Sequence, residues 1–528
     1  MTTPNFRDQD IGDDWTVPST ASKSTFDTES YVNMGHEVPA LQLSAMPRNE
    51  SIGAFSNQST TQVCVNIKAC ELLNEDDDKR MPVDIVVALD ISSSMAGEKL
   101  NDCKRTLELM LRNLTSKDRL GLISYGSQAK VEIPACFVTE ENKANALQKI
   151  KSLAGRGSTN LSGGLSLAMH EMNIIDKPNA VRSIFLLTDG MANTGIISTE
   201  GLISMVQNFN ENQAPSEEMN DMRLQEPSDT ASVDTKPKTI TVNSMSPVSL
   251  FSFGYGSHHN SDMLRAVSDV SPGGAYYFVQ NDSDVSSAFG DAMGGLLSVV
   301  AQSAVVTISV PLNAVSNGVK ILNVYHKDQI KRDNGSFTIN VGDFYAEETR
   351  DVLFELRLSN APSETAVPHV SVTLSYMDVI HKKAAASVPV ECSIGRPPNG
   401  ELSPTDMHVE SQWLRVRVIQ EMEAADREAR GNNLEAASKR MQRNIDFILA
   451  SPANQQPMVM ALKTDAQDVI RGFKSASQYR SMGTHTMQSK STQLRRQRCM
   501  ESSASTRNFY RSSKKAAYTS HFQKKEEK

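Results

Sequence analysis

The sequence predicts an α/β domain built on a doubly wound, mostly parallel sheet, followed by an all-β sandwich and a C-terminal helical hairpin. Three observations carry this. Val83 to Leu89 (VDIVVAL) and Ser183 to Leu187 (SIFLL) are apolar runs, separated by amphipathic stretches; strands buried on both faces of a parallel sheet look like this. From Ala304 to Ile394, short segments alternate apolar and polar residues between turn signals such as Asn317-Gly318 and Asn334-Gly335. From Asp406 to about Ser451 apolar residues recur at helical spacing, interrupted by the turn Arg430-Gly-Asn-Asn-Leu434.

In chain order, residues 1–60 are rich in Ser, Thr, Asn and Asp without periodicity and read as a disordered arm. Residues 61–72 hold one strand, with Val63, Val65 and Ile67 alternating against polar neighbours. It has no place in the α/β sheet order, so it is expected to join the sandwich and to make the α/β domain an insertion. That domain spans 82–300. Leu100 to Leu114 is a helix with Leu107, Met110, Leu111 and Leu114 on one face. Arg119 to Tyr125 is a strand, and Glu140 to Leu153 and Leu161 to Ile175 are helices. Residues 209–247 are polar, acidic and Pro-containing, and read as a disordered insertion, which costs a surface loop little. A strand at Phe251 to Gly256, a helix at Asp262 to Val270, a strand at Ala275 to Val279 and a helix at Asp284 to Val300 complete the domain. Residues 301–396 form the sandwich. Residues 406–473 are helical, a hairpin plus a third helix at Met458 to Phe473. Residues 474–528, with Arg495-Arg496, Arg498, Lys514-Lys515 and Lys524-Lys525, read as a disordered basic tail.

Composition narrows the function. The 528 residues allow two or three domains, and a net charge of −8 argues against nucleic acid as the main partner. Met1 to Trp15 lacks the apolar segment of a signal peptide, and Leu296 to Val310 is too short and polar to span a membrane. None of the six cysteines forms C-x-x-C, so a zinc site is not expected; they read as buried thiols of a reducing compartment, the cytoplasm. No G-x-S-x-G, P-loop or H-E-x-x-H is present, and the chain is not expected to be an enzyme.

Three short segments carry the chemistry: Asp90-Ile-Ser92-Ser-Ser94, Gly157-Ser-Thr159 and Thr188-Asp189-Gly190. Asp90 and Asp189 each follow an apolar run, and Thr159 sits in a Gly-rich loop before a helix. Loops at the carboxyl ends of parallel strands are where open α/β sheets hold ligands. Asp90, Ser92, Ser94, Thr159 and Asp189 offer only hard oxygen atoms, the set that Mg²⁺ takes, with Mn²⁺ or Ca²⁺ as alternatives. Asn160-Leu-Ser162 is a glycosylation sequon in the same loop; a glycan there would cover the site, so a working site implies a protein that is not secreted.

These five positions resemble the metal-ion-dependent adhesion site (MIDAS) of von Willebrand factor A (vWA) domains. Phe253-Gly-Tyr-Gly-Ser-His258, Met263-Leu-Arg-Ala-Val267 and Gly294-Gly-Leu-Leu-Ser-Val-Val-Ala-Gln302 are further similar to the A domains of plant wavy-growth-type RING ubiquitin ligases and of intracellular A-domain/intein-like-associated proteins. The resemblance implies a metal-dependent protein-binding scaffold: the cation keeps an outward position and captures an acidic side chain of a protein partner, without breaking a bond. It also implies an alternative, the substrate-binding subunit of a ubiquitin-ligase system. The chain departs from those ligases in having no Cys/His cluster able to fold a RING.

Overall fold

The computed structural model describes residues 39–56, 58–71, 80–189, 191–211, 247–256, 259–279, 282–327, 329–332, 334–359, 361–398, 400, 402–498 and 505–526. Most of the expected N-terminal arm and of the acidic insertion at 209–247 lies outside these residues.

Two strands come first, β1 (Leu41–Pro47) and β2 (Thr60–Ala69). The α/β domain comes next, with β3 (Val83–Asp90), α1 (Glu98–Asn113), β4 (Arg119–Tyr125), β5 (Ala129–Phe137), α2 (Glu140–Ser152), α3 (Leu161–Asn173), β6 (Val181–Thr188), α4 (Thr199–Glu211), β7 (Val248–Tyr255), α5 (Ser261–Asp269), β8 (Ala275–Val279) and α6 (Asp282–Leu296). Its sheet runs β5-β4-β3-β6-β7-β8, parallel except for the antiparallel edge strand β5. β3, β4, β6 and β7 are buried along their whole length, which is why the stretches at β3 and β6 read as mainly apolar. One face packs on Leu107 and Met110 of α1, Ile150 of α2 and Phe289 of α6, the other on Leu165 of α3, Val206 of α4 and Leu264 of α5. The sheet is therefore doubly wound.

The sandwich comprises β9 (Val299–Ser309), a short α7 (Leu312–Ser316), β10 (Lys320–Val324), β11 (Gln329–Lys331), β12 (Phe337–Tyr345), β13 (Thr349–Arg357), β14 (Ser363–Asp378), β15 (Lys383–Ala386) and β16 (Val390–Arg396). One sheet has the order β1-β2-β13-β10 and the other β11-β12-β9-β14-β15, with β16 also on β14. Val63, Val65 and Ile67 of β2 share a single core with Val306, Ile308 and Leu374 of the other sheet. β2 pairs antiparallel with β13, so the α/β domain is set between two strands of the sandwich. Both connections meet one turn. Ser298 O accepts from Ala346 N–H at 2.7 Å, Ala69 N–H donates to Glu348 O at 2.8 Å, and Cys70 O accepts from Glu347 N–H at 3.0 Å.

The expected boundary of the N-terminal arm at residue 60 needs correction. Leu41–Pro47 forms β1, in register from Leu41↔Ala69 to Pro47↔Val63. It is a short half-buried edge strand, and its apolar alternation (Leu41, Leu43, Ala45) is too brief to stand out in a polar context.

The helical region holds α8 (Met407–Arg430), α9 (Leu434–Ala450) and α10 (Pro457–Gly472). The disordered tail expected from residue 474 is a second correction. The chain continues through a π-helical turn at Tyr479–Gly483 into α11 (Thr484–Arg496), and ends in α12 (Ser513–Glu526). The reason is chemical. Apart from Met487 and Leu494, α11 buries polar side chains, including Gln488, Lys490 and Gln493, so hydropathy gives no helical signal. Its basic residues are paired. Lys490 Nζ donates to Asp465 at 2.8 Å and Asp468 at 2.9 Å, and Arg496 pairs with Asp269 at 2.6 Å. Arg498 is buried among three stretches of chain. Its Nε donates to Glu348 at 2.7 Å, its Nη1 to Gly273 O at 3.2 Å and its Nη2 to Asp343 O, while the guanidinium lies 3.9 Å from the Tyr345 ring centre. α12 lies against α6, where a Cβ on Gly290 would stand 2.7 Å from Thr519 Cα; only glycine permits that approach. Lys515 Nζ bonds Asp291 at 3.0 Å across this contact.

Candidate metal centre

β3 and β6 are adjacent and parallel, so the chain leaves the sheet at Asp90 and Asp189 side by side. The third loop is brought to them by α3. Asn160 caps this helix, its Oδ1 accepting from Gly163 N–H at 3.0 Å. Gly164 faces the Tyr125 ring so closely that a Cβ would lie 2.3 Å from it, which lets α3 settle onto β4. Backbone hydrogen bonds then knit the three loops. Ser93 N–H donates to Gly157 O at 3.1 Å and Arg156 N–H to Ile91 O at 2.6 Å. Thr159 N–H donates to Asn193 Oδ1 at 2.9 Å, and Asn193 N–H returns to Thr159 O at 3.1 Å.

Four of the five expected residues form a connected oxygen cluster. Asp90 is fully buried; its Oδ1 accepts from Ser92 N–H at 2.7 Å and its Oδ2 from the Thr188 hydroxyl at 2.6 Å. The Ser92 and Ser94 Oγ atoms are 3.1 Å apart, and the Ser94 hydroxyl donates to Asp189 Oδ1 at 2.8 Å. Asp189 Oδ2 accepts from the Lys99 ammonium. Thr159 is buried in the neighbouring loop, tied through its backbone, and among the described residues its hydroxyl is not hydrogen-bonded to the other four. Gly190 lies outside the described residues.

The donor set fits a hard divalent cation. Neighbouring oxygens around an octahedral Mg²⁺ with bonds of about 2.1 Å stand about 3.0 Å apart. The Ser92–Ser94 and Ser94–Asp189 separations, 3.1 and 2.8 Å, bracket that value. Electrostatics point the same way. Burial raises the Asp90 carboxyl above its ordinary range, and the nearby Asp189 adds to the rise, against the opposing hydrogen bonds of Thr188 and Ser92. In α1 beneath the site, burial pushes the Cys103 thiol up to about 12, with Asp102, Asp90 and Asp189 contributing.

Three supporting residues escaped the sequence reasoning. Thr188 and Asn193 carry a weak signal, a polar residue beside an expected ligand. Lys99 has none, because its partner lies 90 residues away.

A second group of ligand-type side chains, Cys64, Asp351 and His408, stands where α8 meets the sandwich. Its contacts converge on Asp351 Oδ1: Asn66 Nδ2 at 2.8 Å, His408 Nε2 at 2.8 Å and Cys64 Sγ at 3.3 Å. Burial, followed by the Asp351 charge, pushes the Cys64 thiol well up, so the group is satisfied as a hydrogen-bonded anchor for α8. His259 is also structural. It bridges Gly256 O and the Tyr276 hydroxyl at 2.6 Å each, and burial, then His485, brings it down to about 4. Among the described residues no helix is long and apolar enough to cross a membrane.

Residues 84–291 match the family model of the von Willebrand factor type A domain. Over 343 residues the chain is 26% identical to the uncharacterized Synechocystis protein sll0103, covering 63% of this chain and 70% of that one. It is 26% identical over 335 residues to the E3 ubiquitin-protein ligase WAV3 of Arabidopsis thaliana, covering 61% of this chain and only 38% of the ligase. A solved von Willebrand factor type A structure from Catenulispora acidiphila superposes with a TM-score of 0.56 at 15% identity, covering 83% of this chain and 89% of that one, a likeness of fold. The sheet order, the domain limits and these likenesses agree: residues 84–291 of this chain are a von Willebrand factor type A domain.

Proposed function

We propose that Asp90, Ser92, Ser94, Thr159 and Asp189 hold one divalent cation, Mg²⁺ or alternatively Mn²⁺ or Ca²⁺, and that this site captures a carboxylate of a protein partner. The observation that carries the reading is the octahedral-edge spacing of the Ser92, Ser94 and Asp189 oxygens beside the buried Asp90 carboxylate. When bound, the cation attracts an outside oxygen anion. The chain does the rest. Asp90 and Asp189 supply negative charge, Thr188 and the Ser92 N–H aim Asp90, and exposed Ser94 opens the cluster to solvent. Thr159, on its own loop, completes the shell. Binding is the whole task, and no bond is broken.

Titration calorimetry of the full chain with MgCl₂ tests this. Wild type is expected to take up one equivalent, and Asp90→Asn and Asp90→Ala none that is measurable. Asp90→Asn keeps an acceptor for Thr188 or Ser92, whereas Asp90→Ala leaves both donors unpaired and costs about 1–3 kcal/mol of stability. Equal uptake by wild type and Asp90→Asn would sink the assignment.

The similarity to a protein named as an E3 ubiquitin-protein ligase favours a second reading, in which the domain presents substrate to a separate ligase. The six cysteines of these 528 residues offer no RING spacing. The purified chain is accordingly expected not to discharge ubiquitin from a loaded conjugating enzyme. Discharge above the enzyme-only control would overturn a purely binding role.

A further inference from the structure

We infer that Lys99 is a built-in competitor for the cation, an internal positive charge that sets how tightly the site takes a metal. This role rests on the proposed metal site and concerns its regulation. The Lys99 ammonium donates to Asp189 Oδ2 and lies 3.5 Å from Ser94 O. Asp189 Oδ1 already accepts from Ser94, so both carboxylate oxygens are engaged and one holds a full positive charge. The Asp189 side chain is 1% exposed and that of Lys99 is 43% exposed. The pair is thus a buried anion covered by a cation whose other side meets water.

The placement is built by the fold. Lys99 is in the first turn of α1, two residues after Gly97, whose φ of 94° belongs to the region that glycine favours. That turn starts α1 beside the three loops. The Lys99 stem passes beside the loop after β7: its Cε stands 4.0 Å from a Cβ built on Gly256. The side chain therefore reaches from α1 past the β7 loop to the Asp189 carboxylate.

Charge balance sets the consequence. Asp90 and Asp189 carry two negative charges as ions, and Lys99 reduces that to one. A divalent cation touching Asp189 would stand within a few ångströms of the ammonium, where like charges repel strongly even at a partly wetted site. Metal uptake is therefore coupled to release of Lys99 from Asp189. The half-exposed side chain can swing into water without opening the core. Asp90 has no ammonium partner among the described residues and depends on the metal for compensation; Asp189 does not.

The test is Mg²⁺ titration calorimetry on the full chain, comparing wild type, Lys99→Met and Lys99→Arg, with thermal melts to confirm folding. Lys99→Met keeps the stem and removes the charge, and is expected to bind Mg²⁺ about tenfold more tightly than wild type, a modest share of the Coulomb term at a half-wetted site. Lys99→Arg keeps the charge and is expected to stay near wild type. Wild type and Lys99→Met with equal affinity would overturn the role of Lys99 while leaving the metal site standing. Weaker binding by Lys99→Met would overturn it too, by making the lysine a helper. Absence of binding heat from both proteins, with MgCl₂ and with MnCl₂, would overturn the metal site itself and this role with it.

Discussion

Replacing Arg498 with alanine is expected to lower the folding free energy by about 3–5 kcal/mol, the range for removing one partner of a buried ion pair. The guanidinium is 5% exposed and Glu348 is 6% exposed, so the remaining carboxylate cannot recover its lost partner from water. Arg498 also donates to Gly273 O in the α/β domain and to Asp343 O in the sandwich, so the loss removes a link between two parts of the molecule. Arg350 remains beside Glu348 at 2.9 Å and limits the damage. Acid supplies a control. Burial raises the Glu348 carboxyl, but Arg350 and Arg498 outweigh it and bring it from the ordinary 4.5 down to about 2. A depressed carboxyl stabilises the fold above its unfolded value, and that contribution fades as pH falls from about 4.5 towards 2. Urea unfolding at pH 7 and pH 3 should therefore show a smaller difference between wild type and Arg498→Ala at pH 3. An Arg498→Ala midpoint equal to wild type at pH 7 would refute the anchoring role.

Asp465→Ala should be comparably severe. The carboxylate is fully buried; Oδ1 accepts from Lys490 Nζ at 2.8 Å and Ser505 N–H at 2.7 Å, and Oδ2 from the Thr506 hydroxyl at 2.7 Å. Its removal leaves Lys490, 1% exposed, with Asp468 as its one charge partner among the described residues. The expected loss is about 3–5 kcal/mol. The double variant Asp465→Ala/Lys490→Met separates causes, because it removes the stranded charge together with its partner. Stability partly regained over Asp465→Ala alone is the expected result. A double variant that loses the sum of the two single losses would assign the cost to the Ser505 and Thr506 contacts instead.

The correction at the C-terminal helices and the missed lysine share one physical explanation. Sequence periodicity reports apolar burial. Val83–Leu89 and Ser183–Leu187 were legible because strands buried on both faces are mainly apolar, with few polar residues such as Asp84 and Ser183. The grouping of Asp90, Ser92, Ser94 and Asp189 was legible because these residues sit in short motifs at or directly after the ends of those strands. α11 was not, since the side chains it buries are mostly polar and their partners, Asp465 and Asp468 for Lys490 and Asp269 for Arg496, lie elsewhere in the chain. A basic, Ser- and Gln-rich segment looks the same whether water or carboxylates surround it. Lys99 escaped for the same reason, a charge whose partner is distant. Asp90 differs in another way: the residues were foreseen, but not that this carboxylate is fully enclosed, with Thr188 and the Ser92 N–H as fixed donors.

The placement of the α/β domain between β2 and β9, ahead of β13, has a consequence for how the chain assembles. Asn66 and Asp351 bond at 2.8 Å yet are separated by 285 residues, so β2 leaves the ribosome long before its partner strand exists. Until then its hydrogen-bonding edge is open to mispairing. Closing so long a loop is slow for a flexible chain. The turn Ala346–Glu348, however, binds both Ser298 and Ala69, placing the two ends of the insert together. An α/β domain that has already folded therefore turns the long loop into a short one. The expected order of assembly follows the order of synthesis: an inserted domain that forms first brings β2 back to the strands that follow it, which hydrogen exchange by pulse labelling during refolding would check.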